Sequence, residues 1–188
     1  MTKLRVLDWD IENRPLAYWY DGATTAEITA IAAGFVGEKK ISCWLLGIHS
    51  CAEMLEGFRA MYDAADLVTG HFIRKHDLPI VNGALIEIGH EPLSQKLTSD
   101  TKLDFIKAAY LSASQENLSQ MVGLREEKTH MSNASWREAN RLTPTGLEKT
   151  RARVVGDVRQ HMALRARLVR RNLLCSPVPR LQRRAASV

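Results

Sequence analysis

The chain has 188 residues, of which 45% are hydrophobic and 25% are charged. This composition supports a buried core of ordinary size and excludes a disordered tail or a mini-protein. The three cysteines lack any CxxC spacing, which argues against a disulfide framework and a structural zinc site.

The charge is divided unevenly along the chain. Residues 1–120 hold 11 basic and 16 acidic side chains, whereas residues 121–188 hold 15 basic and 5 acidic ones. From Lys149 to Val188 there are 11 Lys and Arg and a single acid, Asp157. This asymmetry is typical of a protein that binds a polyanion, and a solvated basic helix with a frayed tail is the alternative.

The N-terminal residues 1–15 carry acids and lack the apolar segment of a secretory signal. No uncharged stretch approaches the roughly 18 apolar residues that span a bilayer. We therefore expect a cytoplasmic protein that does not enter a membrane. Dinucleotide-binding and P-loop motifs are absent from the sequence.

The predicted elements begin with strands and continue with strands that alternate with helices. Strands are predicted at Lys3–Glu12, Glu27–Phe35, Lys40–Leu46, Asp66–Gly70 and Leu97–Leu103, and helices at Ser50–Ala64, His76–Gly89, Ser114–Gly123, Ser132–Arg141 and Pro144–Leu173. The first three strands are expected to form an antiparallel meander. This order predicts one α/β domain with a mixed sheet over residues 1–173 and a flexible basic tail over residues 174–188.

Two carboxylates stand at the predicted end of the first strand. Because side chains alternate along a strand, Asp10 and Glu12 point to the same side, roughly 7 Å apart. Carboxylates held in this way repel each other unless a cation lies between them, and Mg²⁺ or Mn²⁺ prefers such oxygen ligands. The alternative is that both face water. Asp8 shares their side of the strand, but its earlier position makes it less suited to an open rim.

Two further acids stand at positions where an acid needs a partner. Asp77 opens a predicted helix, so it is either an ordinary N-cap or a metal ligand. Asp157 shares a mostly apolar helix face with His161, and burying a carboxylate without a partner is costly. The partner of Asp157 is either an Arg one helical turn away or a metal ion shared with Asp10 and Glu12.

Together these segments resemble the DEDD (DnaQ-like) 3′-to-5′ exonucleases. The D-I-E sequence at residues 10–12 resembles the first motif of that family, and G-H-F-I-R-K-H-D-L-P at residues 70–79 resembles the second, G-H-N-x-x-x-F-D-x-P. The D-V pair at residues 157–158 resembles the third motif, and D-T at residues 100–101 resembles a strand-end pair between the second and third. The resemblance extends over about residues 3–168.

The resemblance implies a ribonuclease H-like three-layer domain, in which a mixed central sheet is flanked by helices. It also implies that Asp10, Glu12, Asp77 and Asp157 bind two ions, Mg²⁺ or Mn²⁺. The implied activity is two-metal hydrolysis of the phosphodiester bond at the 3′ end of single-stranded DNA.

Two positions depart from the family pattern. Phe72 replaces the usual Asn of the second motif, and Ala152 and Arg153 stand where the family has a His or a Tyr before the third-motif Asp157. We predict His161, one helical turn after Asp157, as the general base instead, with His71 and His76 as alternatives. The alternative functions are an exoribonuclease and a nucleic-acid-binding module that kept the fold but lost turnover.

The predicted partner is a single-stranded nucleic acid, with DNA favoured over RNA. The basic last helix and tail are expected to hold the substrate backbone. Tyr18, Trp19 and Tyr20 either stack on unpaired bases or anchor their own loop. The sequence contains no polymerase-like segment, so a role in proofreading would require a separate polymerase or replication partner.

Overall fold

The computed structural model describes residues 4–17, 24–106, 111–124 and 130–179. Its strands are β1 (Val6–Ala17), β2 (Thr24–Phe35), β3 (Ile41–Leu45), β4 (Leu67–Gly70), β5 (Leu97–Asp100) and β6 (Val178–Pro179), and its helices are α1 (Cys51–Asp63), α2 (Asp77–Glu87), α3 (Gln115–Met121), α4 (Asn133–Asn140) and α5 (Pro144–Arg170). The strands form one sheet in the order β3-β2-β1-β4-β5-β6. The predicted antiparallel meander of β1, β2 and β3 is confirmed, and β1, β4 and β5 are parallel. The α/β class and the mixed sheet flanked by helices are therefore confirmed.

Alternation along the strands separates two apolar layers. Leu7, Trp9 and Ile11 of β1 belong to a core that also contains the buried side chains of α1 and α2. Ala30 and Ala32 of β2 face the other way and pack against α5. Because successive side chains of a strand point to opposite faces, α1 and α2 cover one face of the sheet and α5 covers the other.

The first strand is longer than predicted. It continues past Glu12 to Ala17 and stays paired with β2, with a register shift between Glu12 and Asn13. Asn13 and Pro15 do not end it, since this part of β1 pairs with a strand on one side only among the described residues, where a missing proline N–H is tolerated. Asp10 and Glu12 therefore lie within the strand and not at its end.

The fifth strand is shorter than predicted. Asp100 ends it, because its carboxylate accepts hydrogen bonds from the backbone N–H groups of Lys102 and Leu103 and so holds a turn. After α5, Val178–Pro179 pairs with β5. Val178 and Pro179 of the predicted tail thus join the sheet, and residues 180–188 lie outside the described residues.

The described helices include none with both the length and the apolar character of a membrane-spanning segment. The predicted aromatic cluster of Tyr18, Trp19 and Tyr20 lies outside the described residues.

Candidate functional site

A cleft opens beside β1 at the point where β4 ends. β4 pairs with β1 only through Val6–Asp8. The chain then leaves the sheet at Gly70, where an added Cβ would lie 2.7 Å from the carbonyl oxygen of Trp9. The cleft has a volume of about 230 Å³ and is lined by Asp10, Ile11, Glu12, His71, Phe72, His76, Asp77, Lys102, Arg153 and Asp157.

Three of the four acids predicted to bind metal come together in this cleft. Asp10, Glu12 and Asp157 each offer a carboxylate oxygen, and these oxygens all lie within 4.8 Å of one another. We call these three residues the acid cluster. Asp10 and Glu12 are half-buried, and Asp157 is only 3% exposed. The cluster therefore joins the first strand to the last helix, as the sequence predicted.

The fourth predicted acid, Asp77, lines the same cleft but has its own contacts. It is the first residue of α2, and the preceding His76 occupies the N-cap position without a side-chain capping bond. Its Oδ1 accepts a hydrogen bond from the backbone N–H of Ile11, at 3.3 Å, and its Oδ2 lies 3.4 Å from Nδ1 of His76. The interpretation of Asp77 as an ordinary N-cap is therefore wrong: its carboxylate contacts the edge of β1 that β4 leaves uncovered.

Arg153 crosses the acid cluster. Its Nε donates to Oε1 of Glu12 at 2.6 Å, and one of its terminal nitrogens lies 3.4 Å from Oδ2 of Asp157, one helical turn further along α5. The guanidinium also lies over the ring of Trp136, 5.4 Å from its centroid. The arginine partner considered for Asp157 is thus present in the structure.

The contacts of Arg153 belong to a longer register between α5 and β1. Four residues of helix advance by about 6.0 Å and two residues of strand by about 6.6 Å, so side chains at these spacings stay opposite each other. The facing pairs are Arg153 with Glu12, Asp157 with Asp10, and His161 with Asp8. A polar stripe on the helix therefore runs along the acidic side of the strand in the opposite direction.

His161, the predicted general base, lies below the cleft in this register. Its Nδ1 is 2.7 and 2.8 Å from the two oxygens of Asp8, and its Nε2 is 2.8 Å from the hydroxyl oxygen of Thr101. That hydroxyl is in turn 2.9 Å from Nδ1 of His71, which does line the cleft. Both ring nitrogens of His161 thus have partners inside the protein, and the geometry does not support His161 as the base.

The Asp8 carboxyl is fully buried, whereas Asp10 and Glu12 of the cluster are half-buried. Burial raises the pKa of Asp8 above its ordinary value, and the interactions with His161 and with the Arg165 charge oppose that rise. Burial likewise lowers the pKa of Arg165, against the charge of Asp8. The expectation that Asp8 is unsuited to an open rim agrees with this position beneath the cleft.

The loop between β4 and α2 forms one wall of the cleft and is held by Asp100. The buried Asp100 carboxylate accepts hydrogen bonds from the backbone N–H groups of Phe72 and Arg74, at 2.9 and 3.0 Å. Phe72 adopts a left-handed backbone conformation with φ of 71°, which is uncommon for a residue other than glycine. Its ring lies against Lys102, whose Nζ is 3.9 Å from the ring centroid.

The donor atoms in the cleft fit a divalent cation. Three carboxylate oxygens within 4.8 Å are the hard ligands that Mg²⁺ and Mn²⁺ prefer. The acid cluster could therefore hold a metal ion. The carboxylate of Asp77 lies in the same cleft. The cleft also carries basic groups, namely Lys102, Arg153 and the two histidines, so it suits an anionic ligand as well as a cation.

The sequence matches no protein-family model, and a comparison with curated proteins also finds no match. Solved structures do match. The family B DNA polymerase from the hyperthermophilic archaeon Pyrobaculum calidifontis superposes with a TM-score of 0.67 at 14% sequence identity, over 89% of this chain and 25% of that chain.

This likeness shows the fold. The mixed sheet flanked by helices is consistent with the ribonuclease H-like fold that the sequence motifs implied, and the chain spans about a quarter of the polymerase's length.

Sequence reasoning did not find the buried pair of Asp8 and His161, and it noticed Thr101 only through the resemblance. A signal for the pair was present, because the polar residues Arg153, Asp157, His161 and Arg165 recur at intervals of four on an otherwise apolar helix face. The acids on β1 recur every two residues, and two residues of strand span about the same length as four residues of helix. The four-residue interval on α5 therefore predicts side chains that face the acids of β1.

Proposed function

We propose that this protein is a metal-dependent nuclease that removes nucleotides from the 3′ end of a single-stranded nucleic acid, with DNA favoured over RNA. The observation that supports the proposal best is the acid cluster, which brings Asp10, Glu12 and Asp157 together in a cleft that also contains Asp77. These are the four acids on which the resemblance to the DEDD exonucleases depends.

The acids of the cleft would hold a divalent cation, Mg²⁺ or Mn²⁺. When bound there, such an ion supplies a deprotonated water as nucleophile and stabilises charge on the leaving oxygen. The chain contributes rigid placement of the ligands. Glu12 and Asp10 project from a paired strand, and Asp157 projects from a buried turn of α5, so neither element has to move to complete the cluster.

Basic groups of the cleft would bind the terminal phosphate and nucleotide. Lys102 lines the cleft beside the ring of Phe72, which offers a cation for phosphate and an apolar face for a sugar or base. Arg151 and Arg159 lie exposed on α5, where they can contact the substrate backbone through salt-sensitive interactions. His71 replaces His161 as the proposed proton acceptor. It lines the cleft, and its Nδ1 contact with Thr101 orients the ring.

The experiment is a time course of the degradation of a single-stranded DNA labelled at its 5′ end, with Mn²⁺ or with a chelator. We expect a ladder of products shortened from the 3′ end, dependent on the metal. Asp10→Asn should lower the rate by about 10³-fold or more, because it removes a charged ligand worth several kcal/mol in the transition state. Asp63→Asn, a change of the same kind on α1, is the control and should retain full activity.

A wild-type protein that leaves the DNA and a parallel RNA oligomer intact with either metal would contradict the proposal. Faster degradation of the RNA would instead identify the exoribonuclease considered from the sequence. Equal activity of Asp10→Asn and the wild type would show that hydrolysis comes from another site or from a contaminant.

A nucleic-acid-binding module without turnover is the second candidate, and one observation favours it. Arg153 already neutralises two members of the acid cluster, as a residue that replaces a metal would. Binding of single-stranded DNA by both the wild type and Asp10→Asn, with no hydrolysis by either, would support this candidate. A separate polymerase partner is compatible with both functions.

A further inference from the structure

The position of Arg153 bears on how many metal ions the acid cluster takes. The guanidinium contacts Oε1 of Glu12 on β1 and Oδ2 of Asp157 on α5, at 2.6 and 3.4 Å. It therefore bridges two carboxylates from different elements. In a two-metal site, a cation shared between the carboxylates makes this bridge.

Arg153 is built into this position. It precedes Asp157 by one turn on the same helix, so the backbone of α5 holds both residues at a set separation. The Trp136 ring of α4 supports the other face of the guanidinium, and the side chain is only 16% exposed. A guanidinium does not lose its proton in a protein, so its charge is permanent.

A second ion at the same carboxylates would meet this charge at close range. Cations that share a ligand lie about 3.5–4 Å apart in two-metal sites, and their repulsion is offset by the acids between them. Here one positive charge is already present among the acids. Asp10, Glu12 and Asp157 each offer one carboxylate oxygen, and these three oxygens can hold one ion beside Arg153.

We infer that Arg153 takes the place of one of the two cations, so that the site binds a single divalent ion. The inference rests on the proposed function and changes one part of it, because the resemblance implies two ions. Arg153 then bridges Glu12 and Asp157 throughout the reaction, beside the single ion.

The test is the stoichiometry of Mn²⁺ binding, measured by titration with electron paramagnetic resonance of the free ion and by calorimetry, without substrate. We expect one Mn²⁺ per wild-type chain and two per chain in Arg153→Gln, which keeps a polar side chain and removes the charge. Arg170→Gln, on an exposed position at the far end of the same helix, should bind one ion like the wild type. Arg153→Lys keeps the charge and should also bind one ion, and it covers the case in which Arg153→Gln fails to fold.

Two ions in the wild type would overturn the inference and leave the proposed function intact. One ion in a folded Arg153→Gln variant would overturn the role of Arg153, as would two ions in Arg153→Lys. If the wild type binds no ion, both the inference and the metal-dependent function fail. The degradation assay with Mn²⁺ separates these cases, since it reports activity independently of stoichiometry.

Discussion

Asp8 and Asp10 lie two residues apart on the same side of β1, yet their surroundings differ. Asp8 is fully buried and contacts His161, whereas Asp10 lines an open cleft with three other acids. The cause is the length of β4, which pairs with β1 as far as Asp8 and then turns away. A single strand thus carries one carboxylate into the protein interior and presents the next one to ligands.

The two carboxylates also differ in what neutralises them. Asp8 has a histidine and a nearby arginine, Arg165, both supplied by α5. The acid cluster that contains Asp10 has Arg153 from the same helix and, under the proposed function, a metal ion. Helix α5 thus provides the positive groups for both Asp8 and the acid cluster. Only the acid cluster, which faces the open cleft, can exchange a bound metal ion for another cation.

The largest expected difference between the two carboxylates is in folding stability. Asp8→Ala leaves a buried histidine and a partly buried arginine without their carboxylate and should lower the free energy of unfolding by about 3–5 kcal/mol. Asp10→Ala removes a half-buried acid from a cluster of like charges and should change it by about 1 kcal/mol or less. Urea denaturation at pH 7 without divalent ions measures both values.

Asp8→Asn is the matched control, because it keeps the size of the side chain and an oxygen that can accept from His161. Its loss of stability should fall between those of the two alanine variants. Equal losses for Asp8→Ala and Asp10→Ala would mean that burial does not distinguish these two positions.

A smaller effect is expected at Thr101, which connects the buried pair to the cleft. Thr101→Val keeps the shape of the side chain but removes the hydroxyl that lies 2.8 Å from His161 and 2.9 Å from His71. Leaving buried ring nitrogens unsatisfied should cost about 1–3 kcal/mol of stability, as measured by denaturation. It should also slow any hydrolysis, because His71 loses its orientation.

Thr98→Val, on β5 three residues before Thr101, is the control for this prediction. Its hydroxyl donates a single hydrogen bond to the carbonyl of Val178, so its removal should cost less and leave hydrolysis unchanged. If the two valine variants behave alike in both measurements, the connection through Thr101 has no functional role.

The smallest effect concerns Glu53, a fully exposed carboxylate that completes the comparison. Hydrogen bonds from the backbone and hydroxyl of Ser50 lower the pKa of Glu53 below its ordinary value of 4.5. Because the pKa is lower in the folded state, the stabilisation is present above the unfolded value and is lost as pH falls through the folded one. The stability gap between wild type and Glu53→Ala should therefore close as the pH falls below 4.5.

Denaturation at a series of pH values from neutral to acidic measures this gap. Glu56→Ala, an exposed change on the same helix, controls for helix propensity and should show no such closing. A gap for Glu53→Ala that widens as the pH falls would contradict the capping contact as its cause.

Much of the fold followed from local sequence signals, and the errors have local causes. Hydrophobic periodicity and capping residues predicted the five helices and the first five strands. The end of β1 was predicted too early. A proline disrupts a strand where its missing N–H is needed for pairing, but this part of β1 is paired on one side only among the described residues. The end of β5 was misplaced because a side chain, Asp100, forms the turn through bonds that the strand pattern does not reveal.

The candidate site was predicted as four acids and His161. The residues alone offered a metal ion shared by Asp10, Glu12 and Asp157 as one of two alternatives, and the resemblance implied the full set. What the sequence could not decide was the partner of each acid. Arg153 and a metal ion were equal alternatives for Asp157, and His161 was assigned to the cleft because it shares a helix face with that residue. The contacts with Asp8 and Thr101 place His161 elsewhere, since a helix face is longer than a single site.

The sequence by itself determined the element order, the mixed α/β class and the acids that share one side of β1, because these depend on residue periodicity within single elements. Only the tertiary structure decided which acid is buried, which faces the cleft, and which basic group each one meets. Those outcomes depend on where β4 ends and on the register of α5 against β1, and both arise from packing between segments far apart in the chain.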